Sequence, residues 1–213
     1  MKHLPLYVFN TDPYPKTPQK QFKRGRIENI GTVISLSSGF KRYKMHQLYK
    51  PTKVVVYDLN PYSLKFHKSI DELSLLTFSS LKELYYEYHY NDINICLSDY
   101  KLPHLVELDV ETQLKSCWTI ECERWGSETQ FINAFHHFKE VEKVYIECDI
   151  TRDISKIEEQ LTTTNFMHIS NIFSWTHNPT FTRDQLEVKK EIFQEWTENP
   201  AGDSRKIVGW TYD

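Results

Sequence analysis

The chain has 213 residues, with 26 basic and 29 acidic side chains and a net charge of −3. At 39% hydrophobic and 14% aromatic it carries enough apolar surface for a core, which argues against a disordered polypeptide, and no run approaches the ~20 apolar residues of a membrane span. The opening MKHLPLYVFNTDPYPK holds only a short apolar stretch, broken by Pro5 and Asp12, so no secretory signal is expected; with Cys96, Cys117, Cys122 and Cys148 lacking CxxC spacing, the expectation is a soluble, unprocessed cytoplasmic protein with free thiols.

Charge is unevenly spread. From Lys16 to Lys53 ten basic residues face Glu28 alone, giving this segment +9 and leaving −12 on the remainder. Such a patch suits a phosphate- or carboxylate-bearing partner, or is a solvated surface balancing the acidic rest. A pI near 6.3 weighs against a dedicated nucleic-acid-binding domain.

In chain order, 4–9 reads as a strand and the proline-rich, basic 11–26 as an extended arm. Residues 32–40, TVISLSSGF, read as a buried strand running into a small-residue turn, and 41–50 as a helix closed by Pro51. KVVVYDLNP, 53–61, reads as a strand covered on both faces, as in a parallel sheet. Asn60-Pro61 ends it, and 62–71 follow as a helix with Pro61 near its start. Residues 73–90 look helical. INICLSDY, LVELDV and CWTIEC read as short strands. Ser127, with Gln130 three residues on, is a helix start, and Phe131, Ile132, Phe135, Phe138 and Val141 follow at helical spacing. KVYIECDIT (143–151) reads as a strand, 154–161 as a helix, 165–175 as a strand, 183–197 as an amphipathic helix and KIVGWTY as a final strand. Strands alternating with helices predict an α/β fold, Rossmann-like, with a mostly parallel sheet flanked by helices. The expectation is one domain over 1–213, with 72–141 a large insertion or lid between the second and third core strands.

Three features carry chemistry: the turn Ser37-Ser38-Gly39, Asp58 at the end of the next strand, and Asp149 at the end of a later one. A small-residue turn lets a ligand approach backbone N–H groups at a helix start. An acid about 20 residues on, at the end of the second strand, accepts hydrogen bonds from ribose hydroxyls. A third acid can accept from an adenine amino group. Together they describe a site for an adenosine-containing ligand. The competing reading of Asp58 is a strand-end acid that caps the next helix with Asn60.

The stretch from Thr32 to Ile70 resembles the start of class I S-adenosylmethionine-dependent transferases. It is most similar to the betaine-lipid 3-amino-3-carboxypropyltransferase group, through Val33 to Leu36, Ser37-Ser38-Gly39, Asp58-Leu59-Asn60-Pro61 and the run His168-Ile169-Ser170-Asn171-Ile172-Phe173-Ser174-Trp175. The resemblance implies S-adenosylmethionine as cofactor and no metal. Ser37, Ser38 and Gly39 would approach its methionine part. Asp58 and Asn60 would hold the ribose side, and Leu59 would flank the adenine, which Asp149 and Ile150 would contact. Ser170 and Asn171 would lie at the mouth where the transferred group leaves. Asn171, His177 and Tyr43 are the catalytic candidates, with His168 a further possible base. The function expected is methyl transfer to an unknown acceptor, anionic if it meets the basic 16–53 segment, with 3-amino-3-carboxypropyl transfer and a non-catalytic Rossmann-like binding or assembly module as alternatives. A homo-oligomer is compatible with the aromatic-rich 72–141 segment. Departures from the family pattern are the serines where relatives carry glycine, the long interval between the second and third strands, and no closing hairpin after the fifth.

Overall fold

The computed structural model describes residues 6–10, 14, 21–22, 25–26, 29–91, 93–98, 108–150, 152–168, 183–198 and 206–211. Its elements in chain order are β1 (Leu6–Phe9), β2 (Gln21–Phe22), β3 (Gly25–Arg26), β4 (Thr32–Leu36), α1 (Lys41–Tyr49), β5 (Lys53–Asp58), α2 (Pro61–Glu72), α3 (Phe78–Tyr90), β6 (Ile95–Ser98), α4 (Val110–Trp125), α5 (Glu128–Lys139), β7 (Glu142–Glu147), α6 (Ser155–Glu158), β8 (Thr164–His168), α7 (Arg183–Glu198) and β9 (Lys206–Thr211).

Five strands form one sheet in the order β7-β5-β4-β8-β9, every neighbouring pair parallel. The first strand of the sheet in sequence, β4, is central. The chain builds outward from it to β5 and β7 on one side and then to β8 and β9 on the other. This is the doubly wound, Rossmann-like arrangement, whose order reverses between β4 and β8. The valine run of β5 explains its place. Val54 and Val56 join the core beneath α1 to α5, while Val55 and Tyr57 join the opposite one beneath α6 and α7, because successive side chains of a strand point to opposite faces. Val33 and Ile34 in β4, and Phe166 and Met167 in β8, divide the same way. Two smaller sheets stand apart: β1 pairs in parallel with β6, and β2 pairs antiparallel with β3.

The helix boundaries have local causes. α1 ends where Lys50 turns left-handed, at φ 46°, ahead of Pro51. The Asn60 side chain accepts from the Tyr62 amide at 3.0 Å and Pro61 occupies the first turn of α2, both good helix-start residues. Ser127 caps α5, accepting from the Gln130 amide, as the sequence predicts. Between β5 and β7 lie α2, α3, β6, α4 and α5.

Two expected strands are corrected. CWTIEC lies wholly inside α4. Its buried positions, Leu114, Cys117, Trp118, Glu121, Cys122 and Trp125, follow the i, i+3, i+4, i+7 rule; six residues taken alone imitate a strand because that period shows only over three turns. LVELDV is no strand among its described residues either, since Asp109 caps α4, accepting from the Thr112 amide at 3.0 Å, and Val110 begins the helix. INICLSDY does contain a strand, β6. The four cysteines are free, and among the described residues no helix is long and apolar enough to cross a membrane.

Candidate functional site

β4 and β5 end side by side, in register from Thr32 with Lys53 to Leu36 with Tyr57. The turn Ser37–Phe40 therefore leaves the sheet beside Asp58. The two are in direct contact: the Ser37 hydroxyl donates to Asp58 Oδ2. Ser63 Oγ of α2 stands 2.8 Å from Ser37 Oγ. The Asn60 amide donates to Asp58 Oδ1 at 2.9 Å. Burial raises the Asp58 carboxyl above its ordinary range, while the Ser37, Asn60 and Ser63 hydrogen bonds pull it back down. Asp58 thus organises the start of α2, as the capping reading requires. Beyond it, Leu59 and Tyr62 are 40% and 39% exposed, giving the acid an apolar rim.

Gly39 has φ +66°, a conformation that glycine adopts at little cost. A Cβ there would lie 2.5 Å from Asn10 Cβ and 2.8 Å from the Asn10 backbone nitrogen. The end of β1 therefore packs directly on the turn, and Asn10 Nδ2 also donates to Ser38 Oγ at 3.0 Å. Asn10 is in turn fixed by Arg124, whose Nη1 donates to its carbonyl.

Underneath the turn lies a buried ion pair that sequence reasoning missed. Arg42 and Asp71 are fully buried and joined at 2.7 Å. Nε of Arg42 donates to Asp71 Oδ2 at 3.0 Å, and Nη1 donates to the carbonyls of Ser37, at 3.0 Å, and Gly39. Nη2 reaches Asp71 Oδ1 and the His67 carbonyl. Asp71 also accepts from the Tyr43 hydroxyl at 2.5 Å and the Tyr145 hydroxyl at 2.7 Å. Burial is the largest single effect and lowers the guanidinium, but the charge and hydrogen bonds of Asp71, with Tyr43 and Tyr145, together outweigh it and hold Arg42 above its usual value. Tyr43, a catalytic candidate by sequence, is fully buried with its hydroxyl turned inward onto Asp71.

Across the switch from β4, His168 ends β8. It is buried, and burial followed by the charge of buried Lys41 holds its imidazole far below the ordinary pKa, so it is neutral. Asp149 follows β7 by two residues, near Arg152 Nε at 3.5 Å. Ile150 is inside the core on the α6 and α7 side. Ser37, Ser38, Gly39, Asp58, Leu59 and Asn60 are thus gathered at the carboxyl ends of β4 and β5, and Asp149 lies at the end of neighbouring β7. Ser170, Asn171 and His177 lie outside the described residues.

The missed residues do have a sequence signal. Ser63, His67 and Asp71 repeat every four residues among the buried positions of α2, beside Phe66 and Ile70. Polar residues on an otherwise apolar stripe mark a face that meets something polar, here Ser37, Tyr7 and Arg42.

Compared with known proteins, the chain matches no family model, and no curated protein or solved structure matches it.

Proposed function

We propose that this chain is an S-adenosylmethionine-dependent transferase, most simply a methyltransferase. The observation that carries the reading is the joined pair at the carboxyl edge: a left-handed Gly39 turn and the Asp58 carboxylate on adjacent parallel strands, beside the strand-order switch where ligands of such folds sit. In this reading Asp58 accepts from the ribose hydroxyls, Leu59 and Tyr62 cover the adenine, and Asp149 accepts from its amino group. Ser38 and the turn backbone face the amino-acid end. Ser170 and Asn171 would stand near the acceptor by the resemblance, with His177 and His168 the candidate bases near the end of the β8 segment. The cofactor supplies an electrophilic carbon on a sulfonium, so the task left to the chain is to bind and align. Transfer of the 3-amino-3-carboxypropyl group from the same cofactor is the variant reading. The acceptor is anionic if it meets the basic 16–53 segment, the protein is cytoplasmic, and 72–141 is an insertion that serves as a lid or an oligomer interface.

A second reading, a non-catalytic Rossmann-like module, is favoured by two contacts. The Ser37 hydroxyl already satisfies Asp58, and Asn10 already packs on Gly39.

Calorimetric titration with S-adenosylmethionine separates the two. The transferase reading expects saturable heat, with Asp58→Asn weakening affinity about 10-fold for the loss of a charge-assisted hydrogen bond. No heat and no thermal shift at millimolar ligand, with the protein folded, leaves the non-catalytic module.

A further inference from the structure

β7 is an outer strand of the main sheet and, among the described strands, pairs with β5 alone. Which of its backbone groups face outward can be worked out. The Cys148 amide, just past β7, donates to the Asp58 carbonyl of β5 at 2.9 Å, so the backbone of residue 148 faces β5. Along an extended strand the N–H and C=O of successive residues point alternately to one side and the other. Val144 and Ile146 therefore bond inward, while Lys143, Tyr145 and Glu147 present their N–H and C=O groups outward. The Glu147 carbonyl agrees with this parity, since it is left to the Lys156 ammonium at 3.1 Å.

The edge is open in its side chains too. Lys143 to Ile146 are half-buried, whereas Val54 to Tyr57 of β5, Thr32 to Ser35 of β4 and Asn165 to His168 of β8 are buried. Lysines commonly guard such edges, but the Lys143 ammonium is folded back onto the Phe138, Lys139 and Val141 carbonyls at the end of α5. The Tyr145 hydroxyl is turned in on Asp71. Among the described residues Lys156 alone lies on the outward groups, through a side chain 52% exposed, and a carbonyl keeps a second lone pair beside it.

We infer that this edge joins two copies of the chain, β7 to β7, antiparallel across a two-fold axis. The residues themselves choose the register. In an antiparallel ladder the residues that exchange both N–H···O bonds face outward on both strands, so Lys143, Tyr145 and Glu147 must oppose one another. Tyr145 on the axis, opposite its own copy, engages all three. Lys143 of each copy then stands opposite Glu147 of the other, and opposite charges so placed stabilise a strand pair. A slip of two residues either way separates the charges and leaves one outward residue beyond the end of the partner strand. This self-complementary pattern selects a second copy as the occupant, and a two-fold contact consumes the edge and closes.

Sedimentation of the full chain from about 1 to 300 μM tests the inference. The expected result is reversible passage from one 25.5 kDa chain to two; a monomer throughout overturns it. Glu147→Lys sets lysine opposite lysine at both ends of the ladder and is expected to weaken the dimer about 10-fold. A dimer that this change leaves untouched overturns the inference, and so does one weakened by Lys156→Ala, which frees the Glu147 carbonyl. The register has its own readout in the wild-type chain, which holds even where a variant does not fold. Within one strand Lys143 and Glu147 are about 13 Å apart, four residues at ~3.3 Å each, so a zero-length carbodiimide bridge between their side chains forms only between copies. That bridge is expected in the cross-linked dimer, and a dimer without it overturns the proposal.

Discussion

His67 sits in α2 with its imidazole buried and its Nε2 donating to the Tyr7 carbonyl at 3.0 Å. Burial, helped by the charge of Arg42, keeps the ring neutral far below the ordinary histidine pKa. The consequence for stability has a definite sign. Above pH ~6.5 the ring is neutral in both folded and unfolded chains. As pH falls through that value the unfolded chain takes up a proton that the folded one refuses, so folding weakens by up to about 1.4 kcal/mol per pH unit for this group. The Asp58 and Glu121 carboxyls, raised by burial, act in the opposite sense. His67→Gln isolates the histidine, since its amide can still donate to Tyr7. Urea unfolding of both proteins at about pH 7.5, 6.5 and 5.5 is expected to show the wild type losing stability relative to the variant as pH falls; parallel pH profiles would contradict the assignment.

At the scale of elements, the two glycines of positive φ among the described residues make a controlled comparison. Gly39→Ala places a methyl against the Asn10 backbone, which cannot move without β1; the expected cost is roughly 2–4 kcal/mol, from left-handed strain plus overpacking. Gly126→Ala, at the end of α4, meets the end of the flexible Gln130 side chain and is expected to cost about 1–2 kcal/mol. Urea midpoints test the order, and equal losses would mean that Asn10 does not back the turn. The elements that place this turn were readable in the sequence because each carries a local cause: the valine run of β5, the Asn60-Pro61 start of α2, the Ser127 cap of α5. The Arg42–Asp71 pair was not. It joins residues 29 positions apart, and no periodicity within either helix names its partner. α4 misled for a related reason, because Cys117 to Cys122 span less than two turns.

For the whole molecule, the sheet separates two cores, and α5 ties the larger one together. Phe131 stacks on Trp125 at 5.6 Å and meets Trp118, Phe40 and Tyr43 at 5.3, 4.9 and 6.4 Å between ring centres. One ring thus binds α4 and α5 to the first turn of α1. Phe131→Ala is expected to cost about 3–5 kcal/mol and, by loosening Phe40 and Tyr43, to reach the candidate site as well. Calorimetric unfolding checks the first effect and nucleoside titration the second; a well-folded variant with unchanged stability would refute this role. The parallel sheet was legible in the alternation of strands and helices, whereas the pairing of β1 with β6 was not, since a four-residue strand does not announce a partner far along the chain.

The central position of β4 carries a cost during biosynthesis. Its β8-side edge waits for a segment that joins it through Thr32 and Thr162, 130 residues downstream. A growing polypeptide can zip β4 to β5 early, yet it leaves the other flank of its most apolar ladder bare until most of the chain has left the ribosome. Parallel pairing at such separation is slow and leaves sticky intermediates. Yield of soluble material should therefore track the pace of translation and the supply of chaperones that shield that open flank.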